Sequence, residues 1–184
     1  MSSILAECPL LCHPDTPCAP LIALGVRIAA AADGGWDVTF VAVGRPDELR
    51  LPGPAPAVQT EGLWQTTCFE LFLAQPEGGY VELNLSPSGA FAAYRFDHYR
   101  TGMAPLAMPA PAIALKRTHE RLTLRTRLTE DDLPWDRTGR IGVSAVIEDK
   151  AGAISYWALA HPAGRPDFHH HDCFALALPP VEGA

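Results

Sequence analysis

The sequence predicts an all-β protein, an antiparallel two-sheet β-sandwich in a single domain. Three observations carry that expectation. Roughly ten short runs alternate apolar and polar residues at period two, the spacing at which successive side chains fall on opposite faces of a strand. Glycine-bearing turns separate neighbouring runs at hairpin spacing, Asp33-Gly34-Gly35 and Gln75-Pro76-Glu77-Gly78-Gly79 being the clearest. The 18 prolines and 15 glycines of the 184-residue chain fall mostly between the apolar runs, where turns need them.

The elements follow in chain order. Residues 21–30 carry Val26 and Ile28 at period two. Residues 36–43 alternate Trp36, Val38, Phe40 and Ala42 against Asp37, Thr39 and Val41. Residues 68–74 and 80–86 flank the QPEGG turn, and residues 91–96 follow the turn Ser86-Pro87-Ser88-Gly89. Residues 113–117 and 122–128 flank a polar turn, as do residues 141–148 and 154–160, and residues 174–178 close the set. Thr129 ahead of Glu130-Asp131-Asp132 reads as a capped helical turn over residues 129–135. Residues 1–20, broken by Pro9, Pro14 and Pro17, read as an irregular N-terminal arm, and residues 21–184 as the sandwich domain. The Pro-rich residues 45–58 and 103–112 read as long loops or covering flaps.

Composition narrows the function. A content of 48% hydrophobic and 19% charged residues is that of an ordinary globular protein. The net charge of −7 argues against a nucleic-acid partner, because phosphate binding needs a basic footprint. No apolar run reaches the roughly 18 residues of a membrane span. The N-terminus lacks a basic n-region, so a cytoplasmic protein with reduced Cys8, Cys12, Cys18, Cys68 and Cys173 is expected. Cys8, Cys12, Cys18 and His13 offer zinc-binding groups, but at the spacing of no standard finger or ribbon, and no metal is expected there.

Side-chain parity singles out one surface. Phe69, Leu71 and Leu73 point one way and Glu70, Phe72 and Ala74 the other; Val81, Leu83 and Leu85 point to the core and Glu82, Asn84 and Ser86 away. Phe91, Ala93 and Arg95 share a face, so Arg95 joins the glutamates only if the register of its strand allows it. Two carboxylates and an amide on adjacent strands form a solvated face paired with Arg95 and Arg125, or are organised by a cation, an arginine or ligand hydroxyls. Trp64 stands just ahead of these strands. A tryptophan beside fixed polar groups is how proteins hold sugars and other flat-faced small ligands. Read as a glycosidase pair, Glu70 and Glu82 would need one desolvated and one charged member, which nothing in the sequence marks; no catalysis is expected. Asp97, Tyr99 and Arg100 lie where a loop closes over a ligand or forms a plain turn. His169-His170-His171-Asp172 reads as a polar loop, with Asp167 and His169 as rim contacts and His169 and His171 sharing a side on which a metal can bind. Arg121, Arg125 and Arg127 read as a solvated face, and Trp36 and Trp135 as core or cap.

The segments LWQTTCFELFLA and YVELNLSPSGAFAAYRFDHYR resemble the DOMON-like proteins, which are related to the family 9 carbohydrate-binding modules and to the haem-binding DOMON domains. The pattern W-x5-E followed by Y-x-E-x-N-x-S-P-x-G carries the resemblance, and the terminal ISYWALAHPAGRPDFHHHDCFALAL resembles the last strands of the same proteins. The resemblance implies a β-sandwich. From the sugar-binding relatives it implies Trp64 and Trp157 as two tryptophans clamping a sugar, Glu70 as the acidic contact, Asn84 as a polar contact and Arg95 as an arginine contact, with Glu82 on the same surface. It also brings in calcium as a structural ion. From the haem-binding relatives it brings in haem b, with Met103, Met108, His98 and His169–His171 as candidate axial ligands. The expectation is a non-catalytic domain that binds a carbohydrate or sugar-like small molecule and needs no cofactor. The alternative is a haem-binding redox or sensor domain.

Overall fold

The computed structural model describes residues 3–129 and 139–178. The helical turn expected over residues 129–135, and Trp135 with it, lies outside the described residues except for Thr129. The strands are β1 (Ile4–Cys12), β2 (Leu21–Ala30), β3 (Trp36–Gly44), β4 (Cys68–Ala74), β5 (Tyr80–Leu85), β6 (Phe91–Phe96), β7 (Ala104–Pro105), β8 (Ala112–Arg117), β9 (Arg121–Leu128), β10 (Arg140–Glu148), β11 (Ile154–Ala158) and β12 (Leu176–Ala177).

The protein is all-β and antiparallel, and its strands form one curled sheet. The order is β7-β6-β5-β4-β10-β11-β1-β2-β3-β9-β8, with β12 beside β10. The sequence reading expected two separate sheets. Hydrogen bonding runs on without a break because β1 serves both halves: Ile4 to Leu10 pair with β2, while Leu11 and Cys12 pair with β11. The stretch expected to be an irregular arm therefore contains a strand. Pro9 lies within that pairing, opposite Gly25.

The curl brings the two halves onto a common core. Val26, Ile28, Val38 and Phe40 of one half and Phe69, Leu71 and Leu83 of the other belong to one buried cluster, and the Phe40 and Phe69 ring centroids are 5.0 Å apart. Burying each such side chain contributes roughly 1.5–3 kcal/mol. β9 alternates buried and open residues, as a strand with one wet face should. β4 and β5 do not alternate, because almost every residue in them is buried. A second cluster explains this: Phe72, Tyr80, Tyr94, Phe96 and Val146 on the outer face are covered by Phe168 and Phe174 from the C-terminal segment. Backbone and sheet come close at Gly142, where an added Cβ would meet Phe72 Cβ at 3.2 Å and the Cys173 carbonyl at 3.3 Å.

Candidate functional site

The register of β4, β5, β6, β10 and β11 lays two rows of side chains across this covered outer face. One row runs Ala92, Asn84, Glu70, Ser144, Ala158, and the next runs Tyr94, Glu82, Phe72, Gly142. Glu70 and Glu82 are thus diagonal neighbours on paired strands, close enough for their side chains to interact. Above them lies a cavity of about 590 Å³. Trp64, Tyr94, Phe96, Tyr156 and Phe168 supply aromatic walls; Glu70, Glu82 and His169 supply polar groups; Arg100 and Arg165 supply positive charge. Trp64 is presented by the short turn Leu63–Gln65 and is 40% exposed, its ring edge-on to Tyr94 at 6.3 Å.

The solvated face considered from the sequence is not what forms. Glu70 and Glu82 are only 2% and 6% exposed. Ser144 Oγ lies 3.1 Å from Glu70 Oε2, and Asn84 Nδ2 donates to Glu82 Oε1 at 2.7 Å. Burial pushes Glu70 up to about 8, with the charge of Glu82 adding and the Ser144 contact opposing. Glu70 therefore keeps its proton at neutral pH. Burial also raises Glu82, opposed by the Asn84 hydrogen bond and the charge of Arg100.

His169 links this pair to the rim. Tyr80 Oη lies 2.7 Å from His169 Nδ1, and the Arg100 backbone N–H donates to the same hydroxyl at 3.2 Å. The arrangement that satisfies all groups has Tyr80 donating to Nδ1, which leaves Nε2–H toward Glu82 Oε2 at 3.9 Å. Burial holds His169 down at about 4, with Arg100 lowering it further and Asp167 opposing, so the ring is neutral. Asp167 ties the rim together. It accepts from Arg100 Nη2 at 2.7 Å, Arg100 Nε at 3.2 Å, the His169 backbone N–H at 3.2 Å and the Tyr99 hydroxyl. Burial alone would raise Asp167, but these donors outweigh it and lower it. Arg100 itself has left-handed backbone (φ 53°), which costs a non-glycine residue roughly 1 kcal/mol.

Of the residues singled out in the sequence, Trp64, Glu70 and Glu82 share the cavity, and Asn84 is one position in, anchoring Glu82. Arg95 is not brought there. Register sets Tyr94, not Arg95, opposite Glu82; the Arg95 side chain is 61% exposed on the other face and lies 3.8 Å from Asp97. Trp157 is not brought there either. It is 5% exposed in the common core, donating to Ser155 Oγ at 3.1 Å, while its neighbour Tyr156 turns to the cavity. Sequence reasoning gave Tyr156, Phe168 and Arg165 no role. Tyr156 follows from parity once both faces of β11 are known to be covered; Phe168 and Arg165 lie in irregular backbone with no periodic signal.

The groups brought in by resemblance can be tested on these residues. Met103 and His169 line the cavity, Met108 packs against the common core, and His98 lines a neighbouring cavity of about 730 Å³. Both ring nitrogens of His169 face protein groups, Tyr80 and Glu82, and a buried carboxyl pair faces the same space, so the residues do not fit a haem ligand set. Among the described residues, one group of three or more metal-type side chains brings its donor atoms within 4.8 Å: His170, His171 and Asp172. Two imidazoles do not suit calcium, which takes an all-oxygen shell. At the N-terminal end, His13 is buried with Nε2 3.0 Å from the Gly164 carbonyl and Nδ1 accepting from the Asp15 N–H, so it fastens the covering segment to the sheet.

No family model and no curated protein matches this chain. Its fold is similar to the crystal structure of a candidate carbohydrate-binding protein from Bacteroides uniformis. The TM-score is 0.63 at 12% identity, over 92% of this chain and 84% of that one. At that identity the likeness is one of fold. Among the described residues, no helix is long and apolar enough to cross a membrane.

Proposed function

We propose that the chain is a non-catalytic binding domain that holds a carbohydrate or sugar-like small molecule in the cavity over Glu70 and Glu82. The observation that carries this reading is one arrangement: a half-exposed Trp64 beside the buried Glu70, Glu82 and Tyr94, whose hydroxyl has no hydrogen-bond partner among the described residues. An apolar sugar face lies on Trp64, and hydroxyls pair with the carboxyl groups and Tyr94 Oη, the division of labour expected of such sites. Tyr156, rather than Trp157, supplies the second ring. The fold neighbour's description as carbohydrate-binding points the same way. The resemblance to DOMON-like, family 9-type sandwiches is part of the proposal, as is a reducing compartment, which suits five free thiols.

One observation favours a second reading, glycoside hydrolysis. Glu70 holds its proton in the same cavity as a second carboxyl group, Glu82, the two-carboxyl inventory that such hydrolysis uses. Binding is preferred because burial raises both groups in the same direction, where paired acid and base chemistry needs environments that push the two apart.

Tryptophan fluorescence tests the proposal. Trp64 lines the cavity while Trp36 and Trp157 are buried in the core, so comparison with Trp64→Ala isolates the signal of a ligand there. Titration with mono- and disaccharides should give a saturable change, with Kd on the order of 0.1 mM for a site built on one open stacking ring, and Trp64→Ala should abolish it. No response to any sugar from the folded protein would overturn the proposal.

A further inference from the structure

The cavity buries two carboxyl groups, and among the described residues no arginine or lysine is in ion-pair contact with either; Arg100 and Arg165 line it at a distance. Glu70 has no ion-pair partner among the described residues, and Glu82 has His169 at 3.9 Å, a ring that is neutral. Arg100 acts on Glu82 from a distance, but Asp167 holds its guanidinium. Arg165 lies in the exposed covering loop. Removing carboxyl groups from water without a partner is costly, and proteins meet that cost with a counter-charge or by keeping the proton on. Here Glu70 keeps its proton, and burial raises Glu82 in the same direction.

We propose that the ligand carries a protonated amine on its sugar-like body, making it an amino sugar, with the ammonium seated against Glu70 and Glu82. This deepens the sugar-binding reading and rests on it. Two further features of the site fit an ammonium. Trp64, Tyr94, Phe96, Tyr156 and Phe168 line the same cavity as the carboxyl groups, and aromatic rings attract cations once water is excluded. Tyr94 lines the cavity and its buried hydroxyl has no hydrogen-bond partner among the described residues, so it can take a hydrogen bond from a ligand. An ammonium beside Glu70 also reverses the balance that keeps its proton on. Binding should then expel that proton: Glu70 passes to carboxylate, the ligand stays ammonium, and the proton goes to buffer.

Isothermal titration at pH 6.5 with glucosamine, galactosamine and mannosamine, each against its parent hexose and its N-acetyl form, tests this directly. At least one free amine should bind on the order of tenfold tighter than both neutral counterparts. The heat should depend on buffer ionisation enthalpy in the sense of proton release, up to about one proton per complex. Glu82→Gln, checked for folding by circular dichroism, should reduce the preference to near unity. The wild-type comparison stands without the variant. Neutral sugars that match or exceed the amines would overturn the amine and leave the sugar reading in place. Silence from every sugar would overturn both.

Discussion

Replacing Glu70 by glutamine should stabilise the unliganded protein at pH 8 and remove most of its loss of stability above pH 6.5. Glu70 holds its proton more tightly folded than unfolded. Its contribution is therefore complete at low pH and is lost as pH rises from 4.5, the ordinary value, to about 8. His169 has the opposite sign. It is held neutral in the fold, so its contribution is complete above 6.5 and is lost as pH falls toward about 4. Between 4.5 and 6.5 the two oppose each other, and from 6.5 to 8 the Glu70 contribution falls without His169 opposing it; Glu82, also raised, contributes a fall of the same sign above 4.5. The wild type should lose on the order of 2 kcal/mol across that upper window, seen as a fall of several degrees in Tm. Glutamine keeps the shape and has no charge to bury. Thermal melts of both proteins from pH 4.5 to 8.5 check this; parallel curves would mean that Glu70 ionises freely in the fold.

The two tryptophans assigned together from the sequence should part company on mutation. Trp157→Ala removes a large side chain from the common core and should cost roughly 3–5 kcal/mol. No orphaned group is left, because Ser155 Oγ retains its bond to the Ile147 carbonyl. Trp64→Ala removes a ring that is 40% exposed and outside that core, and should change stability by about 1 kcal/mol or less while sugar binding is lost. Chemical denaturation of both variants, alongside the fluorescence titration, separates the roles. A mild effect at Trp157 would contradict its place in the core.

What could be read from the sequence depended on how local its cause was. β3 and β9 are half-buried strands joined to neighbours by short turns, so alternation alone revealed them. The outward parity of Glu70, Glu82 and Asn84 was equally legible. Their burial was not, because it comes from Phe168 and Phe174 in a stretch whose histidines, prolines and glycine read as a polar loop. Once that cover is in place, both faces of β11 are apolar, and period two no longer tells Tyr156 from Trp157. Arg95 turned on register, which the turn Ser86-Pro87-Ser88-Gly89 fixes by setting Leu85 opposite Phe91. The single curled sheet depends on Leu11 and Cys12 reaching Trp157 and Ala158, a long-range pairing that leaves no periodic mark. Pro9 argued against a strand, and the pairing with β2 that includes it, opposite Gly25, leaves no local mark in the sequence.

Saturation-transfer NMR on a mixture of free sugars decides whether this cavity holds a sugar, since it reports contact with the protein whatever the affinity between about 10 µM and 10 mM. The expected result is transfer to the ring C–H protons of at least one sugar, strongest on the face that lies against Trp64, and its disappearance in Trp64→Ala. Absence of transfer to every sugar, or transfer that persists undiminished in Trp64→Ala, would contradict a sugar site in this cavity.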